Sequence, residues 1–375
     1  MYILSATYYS VLLIISLYLI DLSKRAKGES RNLIQHTSIF FIIAFCGLRF
    51  FVGNDYDGYY RSFKHLLNYS PGLTEFYWEP GFYYLAKALT RFGEIGYFYL
   101  LLISSIVTFI LIYIALKEQS SLKWGVYFAI TLGLLIMAND QVRQGIALGV
   151  FLYSLKYIRD GELNKYLMCI IIASLFHYSS LLLVFVYFIR LIKLNKVWWI
   201  FLIGVTYVGF QRGIFYETIF SMIELIPYYG ELYAARQRFF EVELGGSGLS
   251  ILFRNALALI FIIALPNLKK NIYAKIYLTG LILGNMVVGF MPAERVTYYL
   301  YYVHIIALPL LLYANKKLSK QLFYVIVLLS FIFFSLQNLF ALEKHGAIPY
   351  RTIFFEDLSN PPQELIYKNE VNEFR

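Results

Sequence analysis

Long apolar runs, parted by short knots of charge, leave this chain few ways to fold. They lie near residues 2–20, 33–52, 95–116, 123–138, 144–159, 165–189, 197–211, 250–265, 274–291, 296–313 and 321–340. Most approach the ~17–25 residues that a helix needs to cross a hydrocarbon layer. Inside lipid every backbone N–H and C=O must be satisfied within its own segment or in a closed barrel. Runs this continuous, without strict alternation, select helices. The expected fold is therefore all-α, a polytopic transmembrane bundle of about 11–12 membrane segments. It forms one integral membrane domain over 1–340, with larger loops at 53–94 and 212–249, followed by a polar tail at 341–375. The first run lacks a small-residue cleavage site before its basic flank and reads as a retained helix. A shorter amphipathic stretch at 79–93 is expected to lie along the interface.

Composition closes off other classes. The chain is 59% hydrophobic and 15% charged, where soluble proteins average ~45–50% and ~25%. A net charge of +10 would suit nucleic acid, but so little polar surface excludes that partner. Cys46 and Cys169 both lie within apolar runs, so no disulfide framework or Cys-based metal site is expected.

Basic residues in short loops set orientation. Six clusters (Lys24–Arg31, Lys117/Lys123, Lys156–Lys165, Arg190–Lys196, Lys269–Lys275 and Lys316–Lys320) hold 18 of the 33 basic residues and are expected to face the cytoplasm. The N-terminus and the tail then face outward. One conflict arises: segment 165–189 has a basic cluster at each end. Either it is a re-entrant hairpin turning near Phe176-His177-Tyr178, or Arg190–Lys196 breaks the rule; the hairpin is slightly preferred. The six clusters hold 14 Lys and 4 Arg, and the rest of the chain 4 Lys and 11 Arg. Topology needs only charge, whereas the planar Arg fork suits phosphate and carboxylate. The asymmetry points to an anionic ligand on the outward face, against simple compositional drift.

Several short motifs could carry chemistry. After a run ending Leu48-Arg49-Phe50 comes Gly53-Asn54-Asp55-Tyr56-Asp57-Gly58-Tyr59-Tyr60-Arg61. Asp55 and Asp57 could serve as a general base or hold a divalent ion, and Arg49 at a span end is costly unless paired or working. The aromatics Tyr56, Tyr59, Tyr60, Phe63, Tyr69, Phe76, Tyr77 and Trp78 could stack on sugars, although an interfacial belt is the preferred reading. Glu79 before Pro80-Gly81 fits capping and catalysis equally. Asn139-Asp140-Gln141-Val142-Arg143-Gln144 is more polar than a turn requires, and Arg143 is the strongest phosphate ligand. His177, mid-run, needs a partner in lipid and could act as a base or as a hydrogen-bond donor to phosphate. Glu294 and Arg295 precede Tyr298 and Tyr299, which would share the Arg295 face of a helix. Loop 212–249, with Arg212, Arg236, Arg238 and Gly245-Gly246-Ser247-Gly248, fits a mobile lid or a plain linker.

Taken in order, GNDYDGYY after a membrane-edge Arg, then NDQVRQGIAL, ASLFHYSSLL and ERVTYY, resemble the EpsG/Wzy-type polysaccharide polymerases over roughly residues 30–300. The matching positions are Arg49, Asp55, Tyr56, Arg143, Gln144, His177 and Arg295. The resemblance implies a glycosyltransferase of the bacterial cytoplasmic (inner) membrane, active face outward. It would polymerise undecaprenyl-pyrophosphate-linked repeat units, as donor and acceptor, into O-antigen, capsule or exopolysaccharide, with a chain-length regulator as a candidate partner. Such chemistry needs a base and positive charge for the departing pyrophosphate. Expected catalytic residues are Asp55, slightly preferred as base, His177 and Glu79. Expected substrate-binding residues are Arg49, Tyr56, Asp57, Tyr59, Arg143, Gln144, Glu294, Arg295 and Tyr298. No cofactor is expected, and a divalent metal is not required. A one-sugar transferase using a lipid-monophosphate donor and a flippase for the lipid-linked unit are the competing readings; the flippase would call for internal repeats, and none is visible.

Overall fold

The computed structural model describes residues 2–215, 248–288, 291–340 and 346–355. Each of the eleven apolar runs carries helix. The helices are α1 (Tyr2–Ser23), α2 (Gly28–Gly47), α3 (Tyr56–Tyr69), α4 (Pro80–Leu89), α5 (Ile95–Gln119), α6 (Leu122–Thr131), α7 (Leu134–Asp140), α8 (Val142–Asp160), α9 (Leu163–Ser174), α10 (Lys196–Gln211), α11 (Gly248–Ala264), α12 (Ile272–Met286), α13 (Met291–Tyr301), α14 (His304–Ala307) and α15 (Lys317–Phe340). A 3₁₀ helix, Tyr178–Leu191, follows α9, and another, Leu308–Tyr313, follows α14. Among the described residues no sheet forms; one antiparallel bridge joins Arg49 to Thr352.

Among the described residues four stretches are long and apolar enough to cross a membrane: Ala6–Ser23, Ile95–Gln119, Ala293–Tyr313 and Lys317–Asn338. α6 and α7, bent by 62°, make a fifth if counted as one broken span. The other runs form shorter or more polar helices, so the expected series of full crossings resolves into a few long helices with shorter ones packed against them. α5 is central, packing on α2 and α8, with Leu116, Phe128, Leu152 and Leu155 completely buried. Lipid is as apolar as leucine, so such contacts are favoured by close packing rather than by escape from water.

All six basic clusters meet at one end of the bundle, as a chain of contacts shows. Lys123 pairs with Asp21 and Lys117 donates to Asn32. Lys156 pairs with Glu118 at 2.8 Å, and Arg159 reaches the Tyr273 hydroxyl. Lys275 donates to the Arg190 carbonyl and Lys196 to that of Ile263, while Ser319 donates to Ala264.

The hairpin resolves the charge conflict. The Tyr187 hydroxyl donates to the Gly161 carbonyl at 2.8 Å, Tyr166 donates to Leu183, and Arg190 packs against Gly161. Segment 178–191 therefore runs back alongside α9, returning Arg190 to the end from which Lys165 departs. Twelve residues of α9 cover ~18 Å, and the nine steps from Tyr178 to Tyr187 cover the same ~18 Å at the 3₁₀ rise. That is short of a ~30 Å hydrocarbon layer, so the element is re-entrant. The 3₁₀ limb buries Ser180, Leu183, Val186 and Ile189 at a spacing of three, at which 3₁₀ side chains eclipse, and Tyr187 beside them.

At the opposite end, α3 and α4 close over an aromatic cluster in which Tyr56, Phe63, Trp78, Phe82 and Tyr97 are buried. The preferred belt reading is thus corrected for Tyr56, Tyr59, Phe63 and Trp78, which fill this small core; Tyr69 and Tyr77 stay exposed. The described part of the tail, 346–355, is docked here too. Phe50 N–H donates to Arg351, Ile353 N–H to Leu48 and Gly53 N–H to Gly346, and Tyr350 stacks on Phe45 at 4.1 Å.

Candidate active site

The hairpin tip and the start of α4 build the centre of the site together. Pro80 at the first helical position suits its fixed φ, and Gly81 lets the tip approach. Gly81 N–H donates to Leu175 O at 2.8 Å, and a Cβ at Gly81 would lie 2.8 Å from the same oxygen. Glu79 precedes the helix and makes no side-chain cap hydrogen bond to it. Its carboxylate turns to the tip and to α8 instead. Oε1 lies 3.0 Å from His177 Nδ1 and accepts from Tyr178 N–H at 3.2 Å, while Oε2 accepts from Arg143 Nη1 at 2.5 Å. Burial raises the Glu79 pKa, but the His177 hydrogen bond and the Arg143 charge outweigh it and hold the carboxyl below its ordinary value.

Arg143, at the start of α8, is oriented by this carboxylate and by two rings. Its guanidinium lies 5.9 Å from the Tyr59 ring centroid and 5.6 Å from that of Tyr77, and Nε makes a long 3.5 Å contact with the Tyr59 hydroxyl. Nη2 makes no bond among the described residues, and neither does the Arg295 guanidinium. Asp55, just before α3, presents an exposed carboxyl within the fields of both cations. Surrounding protein raises its pKa, and Arg295 and Arg143 oppose that rise. The result is a carboxyl within the electrostatic reach of two arginines that keep donors without a bond among the described residues.

Other expected site residues are committed elsewhere. Arg49 is buried, with its guanidinium donating to the carbonyls of Cys46, Val52 (3.1 Å) and Asn139 (2.8 Å). It therefore clasps α2 to α7, with Nε, Nη1 and Nη2 each donating to a backbone carbonyl rather than being left for a phosphate. Tyr56 packs against Phe51 and Tyr97 within the core. Asp57 pairs with Arg61 at 2.7 Å one turn on. Gln144 donates to the Arg295 carbonyl, joining α8 to α13 rather than opening toward a ligand. Glu294 accepts from the Tyr298 hydroxyl at 3.3 Å. Among the described residues no group of three or more His, Cys, Asp or Glu could hold a metal. Most of loop 212–249, with Arg236 and Arg238, lies outside the described residues.

Tyr299, named in the sequence only as sharing the Arg295 face, joins the site. It is buried, and Ser179, Glu79, Arg295 and Arg143 act on its hydroxyl electrostatically. It lies four residues from Arg295 and Tyr298 lies three, a difference that helical spacing cannot rank. Asp140 supports the site from beneath, accepting from Asn54 N–H at 2.9 Å under the turn at Gly53, whose φ of +107° favours glycine.

A family model matches residues 32–352, that of the EpsG family. No curated protein matches the chain, and no solved structure does.

Proposed function

The chain belongs to the EpsG family, a family of Wzy-type polysaccharide polymerase-like proteins, and on that premise we propose that it is a membrane glycosyltransferase. It joins undecaprenyl-pyrophosphate-linked oligosaccharide units into a surface polysaccharide at the outer face of the bacterial cytoplasmic membrane. The single observation that carries this reading is the pair of arginines, Arg143 and Arg295, whose charges act on the Asp55 carboxyl and which keep donors without a bond among the described residues. The Lys-rich end faces the cytoplasm by the positive-inside rule, which turns Asp55 and the two arginines outward.

In the reaction a hydroxyl of the acceptor glycan attacks the anomeric carbon of the donor. A C–O bond to the acceptor forms as the bond to the pyrophosphate oxygen breaks, and its electron pair leaves on that oxygen. Asp55 takes the hydroxyl proton, a role favoured by a pKa raised toward the working pH. Arg143 and Arg295 meet the charge developing on the pyrophosphate, donors already aimed where charge appears. Glu79 cannot share the base role. Three donors already occupy its oxygens and its pKa is lowered. Glu79 and His177 instead hold Arg143 in place.

A deletion strain complemented with Arg143→Lys tests this. Lysine keeps the charge but not the fork, so the surface-glycan gel should show single repeat units without a ladder, at normal protein level. Wild-type chain lengths in that strain would refute the assignment. Incomplete units would indicate a one-sugar transferase, and full units stranded inside the cell a flippase.

A further inference from the structure

Arg254 interrupts α11 (GLSILFRNALALIFIIA), a helix otherwise almost wholly apolar. Arginine does not shed its charge, and an unpaired one in such a segment is costly unless it is working. No hydrogen bond or ion pair engages it among the described residues. Its surroundings are rings: the guanidinium lies 4.8 Å from the Tyr301 ring centroid, with Tyr302, Tyr298 and Glu294 acting on it electrostatically. The nearby carboxylate of Glu294 is engaged by the Tyr298 hydroxyl. Aromatic faces steady a cation but leave all five of its N–H donors without an acceptor.

The position relative to the proposed active site is informative. Successive residues on a helix point ~100° apart. On α13, Arg295 and Tyr299 serve the Asp55–Arg143 side, whereas Glu294, Tyr298 and Tyr301 turn to Arg254. One helix therefore separates two cationic places on neighbouring faces. Polymerisation brings two phosphate-bearing lipids to the protein at once, and only the donor's pyrophosphate leaves. The acceptor's pyrophosphate needs holding apart from the Asp55 base, which a cation on the other face of α13, Arg254 with its tyrosine wall, would do.

Resting on the polymerase reading, we propose that Arg254, walled by Tyr298 and Tyr301, is the binding site for the phosphate of the acceptor lipid, separate from the donor site at Arg143 and Arg295. Phosphate carried on a lipid could also come from an anionic phospholipid of the bilayer, and the test separates the two. Full-length protein is reconstituted in nanodiscs of phosphatidylcholine alone, or with phosphatidylglycerol, and titrated with farnesyl pyrophosphate. Wild type should bind two molecules per chain in both lipids. Arg254→Gln should bind one, Arg143→Lys should keep the Arg254 site, and Arg254→Lys should weaken that second site ~10- to 100-fold, as expected for lost charge-assisted bonds. Equal thermal stability of Arg254→Lys and wild type excludes misfolding as the cause. Two molecules still bound by Arg254→Gln would overturn the proposal. So would competition by phosphatidylglycerol for the second molecule only, which would make the site a phospholipid anchor. A wild type that binds one molecule, lost in Arg143→Lys, would refute this inference while leaving the active-site reading intact; a wild type that binds none would remove both.

Discussion

Asp55 and Glu79 are both carboxylates near Arg143, yet their surroundings assign them opposite roles. Asp55 has no hydrogen-bond donor among the described residues and its pKa is raised; Glu79 has three donors and a lowered one. Asp55→Asn should therefore cut the polymerisation rate by ~10²-fold or more, the usual scale for a lost general base. His177→Ala should cost less, since the imidazole acts through Glu79. Radiolabelled chain growth in membranes measures both, and the reverse ranking would make His177 the base. The pH profile separates them further. The working form of Asp55 is ionised, so activity should fall on acidification through a pKa above the ordinary ~3.9 of aspartate. Arg295 opposes the rise, so Arg295→Gln should move this acid limb to higher pH; an unmoved limb would exclude Asp55 as its source. For Glu79 the sign is opposite. A depressed folded-state pKa contributes stability above the ordinary carboxylate range, lost as pH falls through the lowered value. Glu79→Gln removes one partner of a buried pair and should cost about 3 kcal/mol, read as a lower Tm of the solubilised protein at neutral pH and a difference that shrinks below ~pH 4.

At the scale of elements, the re-entrant hairpin decides where the chemistry sits. Its tip docks on the start of α4 through Leu175 and Tyr178, and nothing larger than glycine fits at residue 81. Gly81→Ala should push the tip away, loosen the Glu79–His177 contact and abolish the polymer ladder. Gly58→Ala, where a Cβ meets nothing within 4 Å, should leave the ladder unchanged. Equal ladders from both strains would show that the tip does not position the site. The sequence leaned to the hairpin through its charges, because two basic flanks around a single crossing would break the positive-inside rule. The 3₁₀ form of the second limb was not legible: YSSLLLVFVYFIRL is apolar all round, and such a run carries no period to distinguish helix types. The aromatics of loop 53–94 misled for a similar reason. Tyrosine and tryptophan suit an interface and a small core equally, and only α3 closing over α4 and α5 buried Tyr56 and Trp78.

For the whole molecule, charge kind and charge place coincide. The lysine clusters gather at one end through contacts from Asp21–Lys123 to Lys275–Arg190, while Arg143 and Arg295 stand with Asp55 at the other. Cysteine accessibility in intact cells tests this arrangement. In a background without Cys46 and Cys169, Lys165→Cys and Lys193→Cys should both resist a membrane-impermeant thiol reagent, whereas Asn68→Cys should react. Labelling at residue 193 but not 165 would make segment 165–189 a single crossing. What the sequence by itself determined was the membrane bundle, its charge polarity and the short motifs holding Asp55, Arg143, His177 and Arg295, because hydropathy and charge act locally and need no fold to be read. Which of those groups meet was decided by tertiary structure alone. Arg49 is as prominent in sequence as Arg143, but three carbonyls occupy it. Glu79, 64 residues from Arg143, becomes its partner only because the hairpin and α4 bring their ends together. Hydrogen-bond commitment is a property of neighbours in space, and a linear pattern does not contain it.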